Sequence, residues 1–198
     1  MTTVGVLALQ GDFLEHVKML ACLDVDAREV RTAEQLKGLD GLIIPGGEST
    51  TFGRLIGDFR LQEPLSAFVR SGRPVWGTCA GMIMLANHAS DLEFPTLQAI
   101  DIEVDRNAYG RQVDSFEADI EVPALGSETY HAIFIRAPVV ASVGPDVDVL
   151  ATCQERPVAV KQGAILATSF HPELTADTRF HRLFLDMIDS AGRPTSAK

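Results

Sequence analysis

Two short motifs, far apart in the chain, carry the residue types of a thiol-based acyl-transfer site. Cys79 lies at the centre of Gly-Thr-Cys-Ala-Gly, and His171 and Glu173 flank a single proline nearer the carboxyl end. A thiol becomes a strong nucleophile when a neighbouring imidazole takes its proton, and a carboxylate can orient that imidazole and stabilise its charged form. We therefore predict a catalytic triad, with Cys79 as nucleophile, His171 as base and Glu173 as the orienting carboxylate.

The surroundings of the cysteine predict a tight turn between a strand and a helix. Residues 74–77 form a short apolar run typical of a strand, and residues 80–87 have a helical pattern. Glycines on both sides of Cys79 allow a strained turn to lift one side chain above the sheet. The helix start at Ala80 offers N–H groups and the positive end of a dipole to a thiolate or an oxyanion. Glycines at this spacing also serve close packing of a helix on a strand, so both roles stay open.

The base is predicted at the end of another strand. Residues 164–170 are mostly apolar and lead directly into His171-Pro172-Glu173. On an extended segment, residues two apart face the same way, so the imidazole and the carboxylate can point together while Pro172 stiffens the chain. An isolated pair of this kind more often lies on a solvent-exposed surface without a catalytic role. Its place after a strand favours the catalytic interpretation.

Two further loops are expected at the same edge of the sheet. Residues 45–50, Pro-Gly-Gly-Glu-Ser-Thr, follow a predicted strand, and ligands of α/β sheets bind at the carboxyl ends of strands. The N–H of Gly47 is therefore expected to form an oxyanion hole together with that of Ala80, although a simple turn is the alternative interpretation. Gln10 and Gly11 end the first strand on this edge, where they are placed to sense a docked partner.

Strands and helices alternate along the first half of the chain, which predicts a mostly parallel sheet with helices on both faces. The expected elements are strands at 3–9, 27–31, 41–44, 74–77 and 164–170, and helices at 12–21, 33–37, 49–59, 63–71, 80–87 and 176–190. Residues 97–160 have a strand-rich pattern, which indicates an added sheet edge or a small β layer. We predict a single α/β domain over residues 1–191, with a mostly parallel central sheet, flanking helices and additional β-strands. Residues 192–198 are expected to be a flexible tail.

Other polar residues and cysteines have less specific interpretations. Asp12 and Glu15 have the spacing of a capping box at the start of the first helix. The remaining histidines are expected to be solvated or hydrogen-bonded without a catalytic part: His16, His88, His131 and His181. Cys22 and Cys153 are expected to be packing residues, because free cysteine behaves as a small hydrophobe.

Composition narrows the classes of function. The 198 residues carry a net charge of −10, which repels phosphate backbones, so nucleic acid is not an expected partner. No apolar run reaches the roughly 18–20 residues that a membrane-spanning helix needs, and no secretory signal is recognisable at the amino end. Three widely spaced cysteines fit neither a disulfide framework nor a zinc site. We expect a cytoplasmic protein without a metal or a cofactor.

Taken together, these motifs resemble class I glutamine amidotransferases, and among them the glutaminase subunits of pyridoxal 5′-phosphate synthases. The cysteine and His-Pro-Glu segments are typical of the superfamily, whereas Leu-Gln-Gly, Arg-Asn-Ala and Phe-Ile-Arg-Ala-Pro are typical of this branch. The resemblance covers nearly the whole chain. The segments that carry it are residues 5–11, 45–51, 77–82, 106–112, 134–138 and 171–175.

The resemblance implies an activity, a substrate site and a partner. L-glutamine would be hydrolysed to L-glutamate and ammonia, and the ammonia would pass to a pyridoxal 5′-phosphate synthase subunit within a large hetero-oligomer. The class I glutamine amidotransferase fold is implied as well. The residues expected to contact glutamine are Gly47, Glu48, Ser49, Arg106, Ile135 and Arg136. A free amino acid suits this set, because arginine binds a carboxylate and a carboxylate binds an ammonium group.

Two other functions remain as alternatives. The first is a glutaminase subunit of another synthase, such as imidazole-glycerol-phosphate synthase, and residues 106–112 argue against it. The second is a non-catalytic binding subunit on the same fold, which the intact set of triad residues disfavours.

Overall fold

The structure, a computed structural model, describes residues 2–106 and 115–192. The strands are β1 (Thr3–Leu7), β2 (Asp26–Val30), β3 (Gly41–Ile44), β4 (Val75–Thr78), β5 (Ala86–Ala89), β6 (Ile100–Asp105), β7 (Ser115–Ile120), β8 (Tyr130–Ile135), β9 (Val139–Val143), β10 (Asp148–Cys153), β11 (Arg156–Gln162) and β12 (Ile165–Thr168). The helices are α1 (Phe13–Ala21), α2 (Ser49–Asp58), α3 (Gln62–Arg70), α4 (Ala80–Leu85) and α5 (Arg179–Ala191). None of the helices in the described ranges combines the length and apolar character needed to span a membrane.

The central sheet has seven strands in the order β10-β11-β12-β4-β3-β1-β2. The five strands from β12 to β2 are parallel, and β10 and β11 extend the sheet with antiparallel pairing. Ile43 pairs with Val6 on one side and with Trp76 on the other, and Trp76 pairs with Leu166. Because this row is in register, the carboxyl ends of β1, β3, β4 and β12 meet at one edge. The predicted α/β fold with a mostly parallel sheet is confirmed.

The core lies on both faces of this sheet. One buried cluster joins Ile43 and Trp76 to Leu20 of α1 and to Phe180 and Phe184 of α5. The other cluster packs the opposite side of the strands against α2, α3 and α4. Alternate residues of the inner strands therefore face different helices, which is why β1, β3, β4 and β12 are buried at every position, whereas the edge strand β2 carries charged residues.

The strand-rich region at 97–160 is confirmed, and it includes both predicted forms. Strands β10 and β11 add an edge to the main sheet, while β5-β6-β9 and β7-β8 form two small sheets. The helix predicted at 80–87 was too long, because it ends at Leu85 and the chain continues as β5. Pairing of Ala86 with Ile100 of β6 stabilises this strand, and the Asn87 amide donates to Asp101.

The closing helix begins later than its pattern predicts. Asp177 accepts hydrogen bonds from the backbone and the guanidinium of Arg179, so the residues before 179 form a loop rather than a first helical turn. Of the predicted tail at 192–198, residues 193–198 lie outside the described residues. The flexible tail therefore stays a prediction.

Candidate active site

Cys79 occupies the tight strand-to-helix turn that its motif predicts. It joins β4 to α4 with φ 49° and ψ −104°, a left-handed conformation that non-glycine residues rarely adopt. Its N–H donates to the Thr168 carbonyl of β12 at 2.8 Å, which fixes the turn to the neighbouring strand. A Cβ at Gly81 would lie 1.9 Å from the Ile44 carbonyl oxygen, and one at Gly77 would lie 2.5 Å from backbone atoms of Gly81. The two glycines therefore serve both of the roles considered above: they allow close packing, and they permit the strained turn.

His171 and Glu173 lie together, but the segment is not extended as the sequence analysis expected. His171 Nδ1 and Glu173 Oε1 are 2.8 Å apart, and both side chains are buried. Residues Pro172–Leu174 form a 3-10 turn, closed by the Leu174 N–H donating to the His171 carbonyl. The fixed φ of proline suits the first position of a helical turn, which explains why the chain curls here. The carboxylate reaches the imidazole by this turn, not by strand alternation.

Asp12 is a second carboxylate on the same imidazole, although its spacing in the sequence predicts a helix cap. Its side chain makes no cap hydrogen bond, so the predicted capping box is wrong. Instead, Asp12 Oδ2 lies 3.3 Å from His171 Nδ1. This hydrogen bond lowers the pKa of Asp12, against the effect of burial. Ligand atoms of Asp12, His171 and Glu173 lie within 4.8 Å of one another, a spacing that could hold a cation, although here the atoms pair with each other.

The electrostatics of the triad favour a charged imidazole. Burial lowers the pKa of His171, but hydrogen bonds with Asp12, Cys79 and Glu173 outweigh burial and raise the pKa well above its usual value. Burial raises the pKa of Glu173, and its hydrogen bond with His171 opposes that effect. A protonated His171 beside the thiol stabilises a thiolate, which is the nucleophilic form of cysteine.

An open cavity of about 440 Å³ exposes Cys79 and His171 to a ligand. All six residues predicted to contact glutamine line it: Gly47, Glu48, Ser49, Arg106, Ile135 and Arg136. The other lining residues are Asp12, Cys79, Ile83 and His171. Ala80, Gln10, Gly11 and Glu173 are not among them. Arg106 is held in place by hydrogen bonds from its guanidinium to Thr50 and to the Asp91 carbonyl. The segment at 107–112 that the resemblance uses lies outside the described residues.

The glycine loop after β3, at Gly46 and Gly47, packs closely against the side chains of His171 and Gln10. A Cβ at Gly46 would lie 2.4 Å from His171 Cε1, and a Cβ at Gly47, where φ is +149°, would lie 2.4 Å from Gln10 Nε2. The Gln10 amide donates to the Glu48 carbonyl and accepts from the Glu48 N–H, each at 3.3 Å. A Cβ at Gly11 would lie 1.8 Å from the Gly46 carbonyl oxygen. The two residues predicted to sense a partner therefore contact the loop predicted to bind the oxyanion.

Glu48 caps the start of α2 in addition to lining the cavity. Its carboxylate accepts from the N–H groups of Thr50 and Thr51 at 2.9 and 2.7 Å, so it caps the start of α2. Burial raises the pKa of Glu48, but these hydrogen bonds prevail and lower it to about 2. The cap keeps the carboxylate negative at the rim of the cavity.

The remaining histidines and cysteines differ in part from expectation. His16 and His181 are fully buried and hydrogen-bonded to each other, the second of the two predicted forms, and they lie behind Glu173. His16 Nε2 is 3.3 Å from Glu173 Oε2, and His16 Nδ1 is 3.0 Å from His181 Nε2. His131 is exposed between Asp119 and Glu117. Cys22 is exposed, contrary to its predicted packing role, and Cys153 is partly buried.

Comparison with known proteins gives one family and several similar proteins. Residues 6–190 match the family described as SNO glutamine amidotransferase. The chain is 55% identical over 193 residues to pyridoxal 5′-phosphate synthase subunit PdxT of Clavibacter sepedonicus, covering 96% of this chain and 92% of that protein. It is 52% identical over 185 residues to the PdxT subunit of Moorella thermoacetica, covering 93% of this chain and 98% of that protein.

Solved structures agree at the level of the fold. A crystal structure of a glutamine amidotransferase superposes with a TM-score of 0.88 at 49% identity, covering 94% of this chain and 98% of that one. A putative GMP synthase subunit from Thermoplasma acidophilum superposes with a TM-score of 0.69 at 18% identity, covering 96% of both chains, which shows the fold alone.

Proposed function

The chain belongs to the SNO glutamine amidotransferase family, and from this membership and the geometry of its site we propose that it hydrolyses L-glutamine and delivers the ammonia for pyridoxal 5′-phosphate synthesis. One observation carries the proposal. The buried imidazole of His171, which Glu173 holds in place, contacts Cys79 on its strained turn, and Cys79 and His171 line the same cavity. The substrate binding follows from the lining: Arg106 and Arg136 supply cations for the glutamine carboxylate, and Glu48 supplies a negative charge for its ammonium group.

The reaction proceeds by two acyl transfers at Cys79. The thiolate attacks the carboxamide carbon, a C–S bond forms, and the carbonyl electron pair moves onto oxygen. N–H groups of Gly47 and Ala80 stabilise this oxyanion. When the C–N bond breaks, His171 gives its proton to the departing nitrogen and ammonia leaves. A water molecule then loses a proton to His171 and attacks the thioester, which releases glutamate and restores the thiolate.

The synthase partner is supported by the names of the relatives. Both similar PdxT proteins are called subunits of pyridoxal 5′-phosphate synthase, and each is matched over more than nine-tenths of its length. These names favour this synthase over the imidazole-glycerol-phosphate synthase alternative. The site geometry argues against a purely binding role, because a non-catalytic subunit has no need of a strained cysteine beside a charged imidazole. The proposal includes assembly with the synthase subunit in a large hetero-oligomer, a cytoplasmic location and a single glutaminase domain over residues 1–191.

Steady-state glutamine hydrolysis in the presence of the purified synthase subunit tests the proposal. Cys79→Ala is expected to abolish glutamate production while it preserves the circular dichroism spectrum and co-elution with the synthase. Cys22→Ala and Cys153→Ala are the matched controls, because both thiols lie outside the cavity, and they are expected to keep the activity. Turnover by the Cys79 variant, or labelling of Cys22 or Cys153 by a glutamine-like electrophile, contradicts the assignment of the nucleophile.

A further inference from the structure

Behind the triad, two buried histidines form a chain of rings that ends on the carboxylate of Glu173. His16 comes from α1 and His181 from α5, and both are fully buried. His16 Nδ1 faces His181 Nε2 at 3.0 Å. His16 Nε2 lies 3.3 Å from both Glu173 Oε2 and the Thr78 hydroxyl oxygen. Their rings pack edge-on against Trp76, with centroid separations of 5.5 and 4.9 Å.

Burial favours the neutral form of both rings. Burial, together with the charges of His181 and His171, lowers the pKa of His16 well below its usual value. Burial lowers the pKa of His181 to about 4. A neutral imidazole has one N–H donor and one lone pair, so the proton position on one ring fixes the proton position on the next.

The outer nitrogen of His181 indicates where the protons of both rings lie. Among the described residues, His181 Nδ1 is buried without a hydrogen-bond partner. An unpaired buried N–H is rarer in proteins than an unpaired acceptor, so the proton of His181 is expected on Nε2. Nε2–H then donates to His16 Nδ1, and the proton of His16 must be on Nε2. That proton is hydrogen-bonded to the Thr78 hydroxyl oxygen, and Glu173 Oε2 lies equally close to the nitrogen that carries it.

From this geometry we infer that His16 is a positioning residue of the glutaminase site, a neutral imidazole whose Nε2–H lies between the Thr78 hydroxyl and Glu173 Oε2 and is held in that tautomer by His181. The inference rests on the proposed function for its effect on turnover. Glu173 Oε2 is buried and makes no well-aligned hydrogen bond with the described residues, although His16 Nε2 lies 3.3 Å away, whereas Oε1 faces His171 at 2.8 Å. A donor on Oε2 favours the ionised carboxylate and holds Oε1 towards His171 Nδ1.

The direction of these hydrogen bonds matters for the reaction. If the proton of His16 were on Nδ1, its Nε2 lone pair would face Glu173 and the Thr78 hydroxyl, so no donor would face Glu173 Oε2 and a protonated Glu173 would be favoured. A neutral carboxyl would no longer stabilise the charged His171. The Nε2–H tautomer of His16 therefore disfavours the protonated form of Glu173, which would weaken the base.

Two substitutions of similar chemistry separate this role from simple packing. The amide nitrogen of His16→Gln takes the place of Nε2 and can still donate to Glu173, whereas the amide of His16→Asn reaches only the Nδ1 position. With the synthase present, His16→Asn is expected to lower kcat about 10- to 100-fold, as for other residues that orient a catalytic ligand, with KM unchanged. His16→Gln is expected to retain most of the activity. Phe184→Leu, which disturbs the same buried cluster without a contact to Glu173, is the control for lost packing.

The proton positions are measured directly on the wild-type chain. Nitrogen-15 spectra of histidine-labelled protein distinguish the two neutral tautomers, and this readout does not require activity. The Nε2–H tautomer is expected for both His16 and His181. A proton on Nδ1 of His16, or equal kcat for the Gln and Asn variants, overturns the inference. If the wild-type complex does not hydrolyse glutamine, the proposed function fails instead, and the spectra still decide the tautomer.

Discussion

Two helical glycines provide a matched test of how closely the cysteine turn is packed. In Gly81→Ala the new Cβ would lie 1.9 Å from the Ile44 carbonyl oxygen, whereas at Gly57 no atom lies within 4 Å of the added methyl group. Backbone atoms cannot rotate away as a flexible side chain can, so α4 or β3 must move by more than about 1 Å to restore van der Waals contact.

The two substitutions should change stability in opposite directions. Alanine is favoured over glycine within a helix by about 0.5–1 kcal/mol, so Gly57→Ala should stabilise the protein by about that amount. At Gly81 the same gain is opposed by overpacking, which costs about 1–3 kcal/mol even where side chains can adjust, and more against a backbone oxygen. We expect a net destabilisation of about 2 kcal/mol or more.

Urea unfolding of the isolated chain measures both changes, and thermal unfolding gives a second reading. For a domain of this size, 1 kcal/mol corresponds to a shift of about 2–4 °C in Tm. Gly57→Ala should therefore unfold a few degrees above the wild type, and Gly81→Ala at least about 4 °C below it. Equal or higher stability of Gly81→Ala would refute the close approach of α4 to β3. Because Cys79 lies in this turn, we also expect the Gly81 variant to lose glutaminase activity.

Three further predictions concern the site. Docked wild-type protein should hydrolyse saturating glutamine about 10²–10³ times faster than the free chain, because we expect docking to turn the Gly47 N–H towards the oxyanion, and one such donor is worth that factor. Gly47→Ala should remove most of this gain, and Gly126→Ala, at a positive φ but without close neighbours, is the control. Equal kcat for free and docked wild-type protein would contradict activation by docking. Arg106→Met and Arg136→Met should each raise KM more than they lower kcat, and unchanged kinetics in both would remove these residues from the substrate site. The folded pKa of His181 is about 4, below the unfolded value near 6.5, so the unfolded chain takes up the proton first and stability should fall between pH 6.5 and pH 4. His181→Leu should flatten that part of the urea-unfolding profile, and an identical slope in both proteins would exclude the histidine as its cause.

The residues that meet at the cavity were predictable because they lie in short, local sequence patterns. The glycines around Cys79 and the strands before 45–50 and 171 place their residues at one sheet edge whatever the tertiary details. The conformation of Pro172 was not predictable in this way. Both an extended strand end and a 3-10 turn suit a proline. The turn is selected by contact with β8, where the backbone N–H of His171 donates to the Ile133 carbonyl.

The contacts behind Glu173 could not be predicted, because they join residues 62 to 165 positions apart. Asp12 has the spacing of a helix cap, yet the imidazole of His171 offers its carboxylate a stronger, charge-assisted hydrogen bond. The position of His16 in the sequence does indicate that its side chain is buried. It lies three residues after Phe13 and four before Leu20, on the apolar stripe of α1, where a polar side chain must find a buried partner. Nothing local identified that partner as Glu173.

The order of the strands in the sheet has a consequence for the newly made protein. The strand that carries the turn at Cys79 pairs with β12, and the Cys79 N–H is held by Thr168, about ninety residues further along the chain. During translation the thiol therefore leaves the ribosome long before the strand that fixes its conformation and the histidine that takes its proton. An incomplete nascent chain holds a cysteine without a base. Glutamine cleavage thus becomes possible only when synthesis of the domain is almost finished, so unfinished chains release no ammonia.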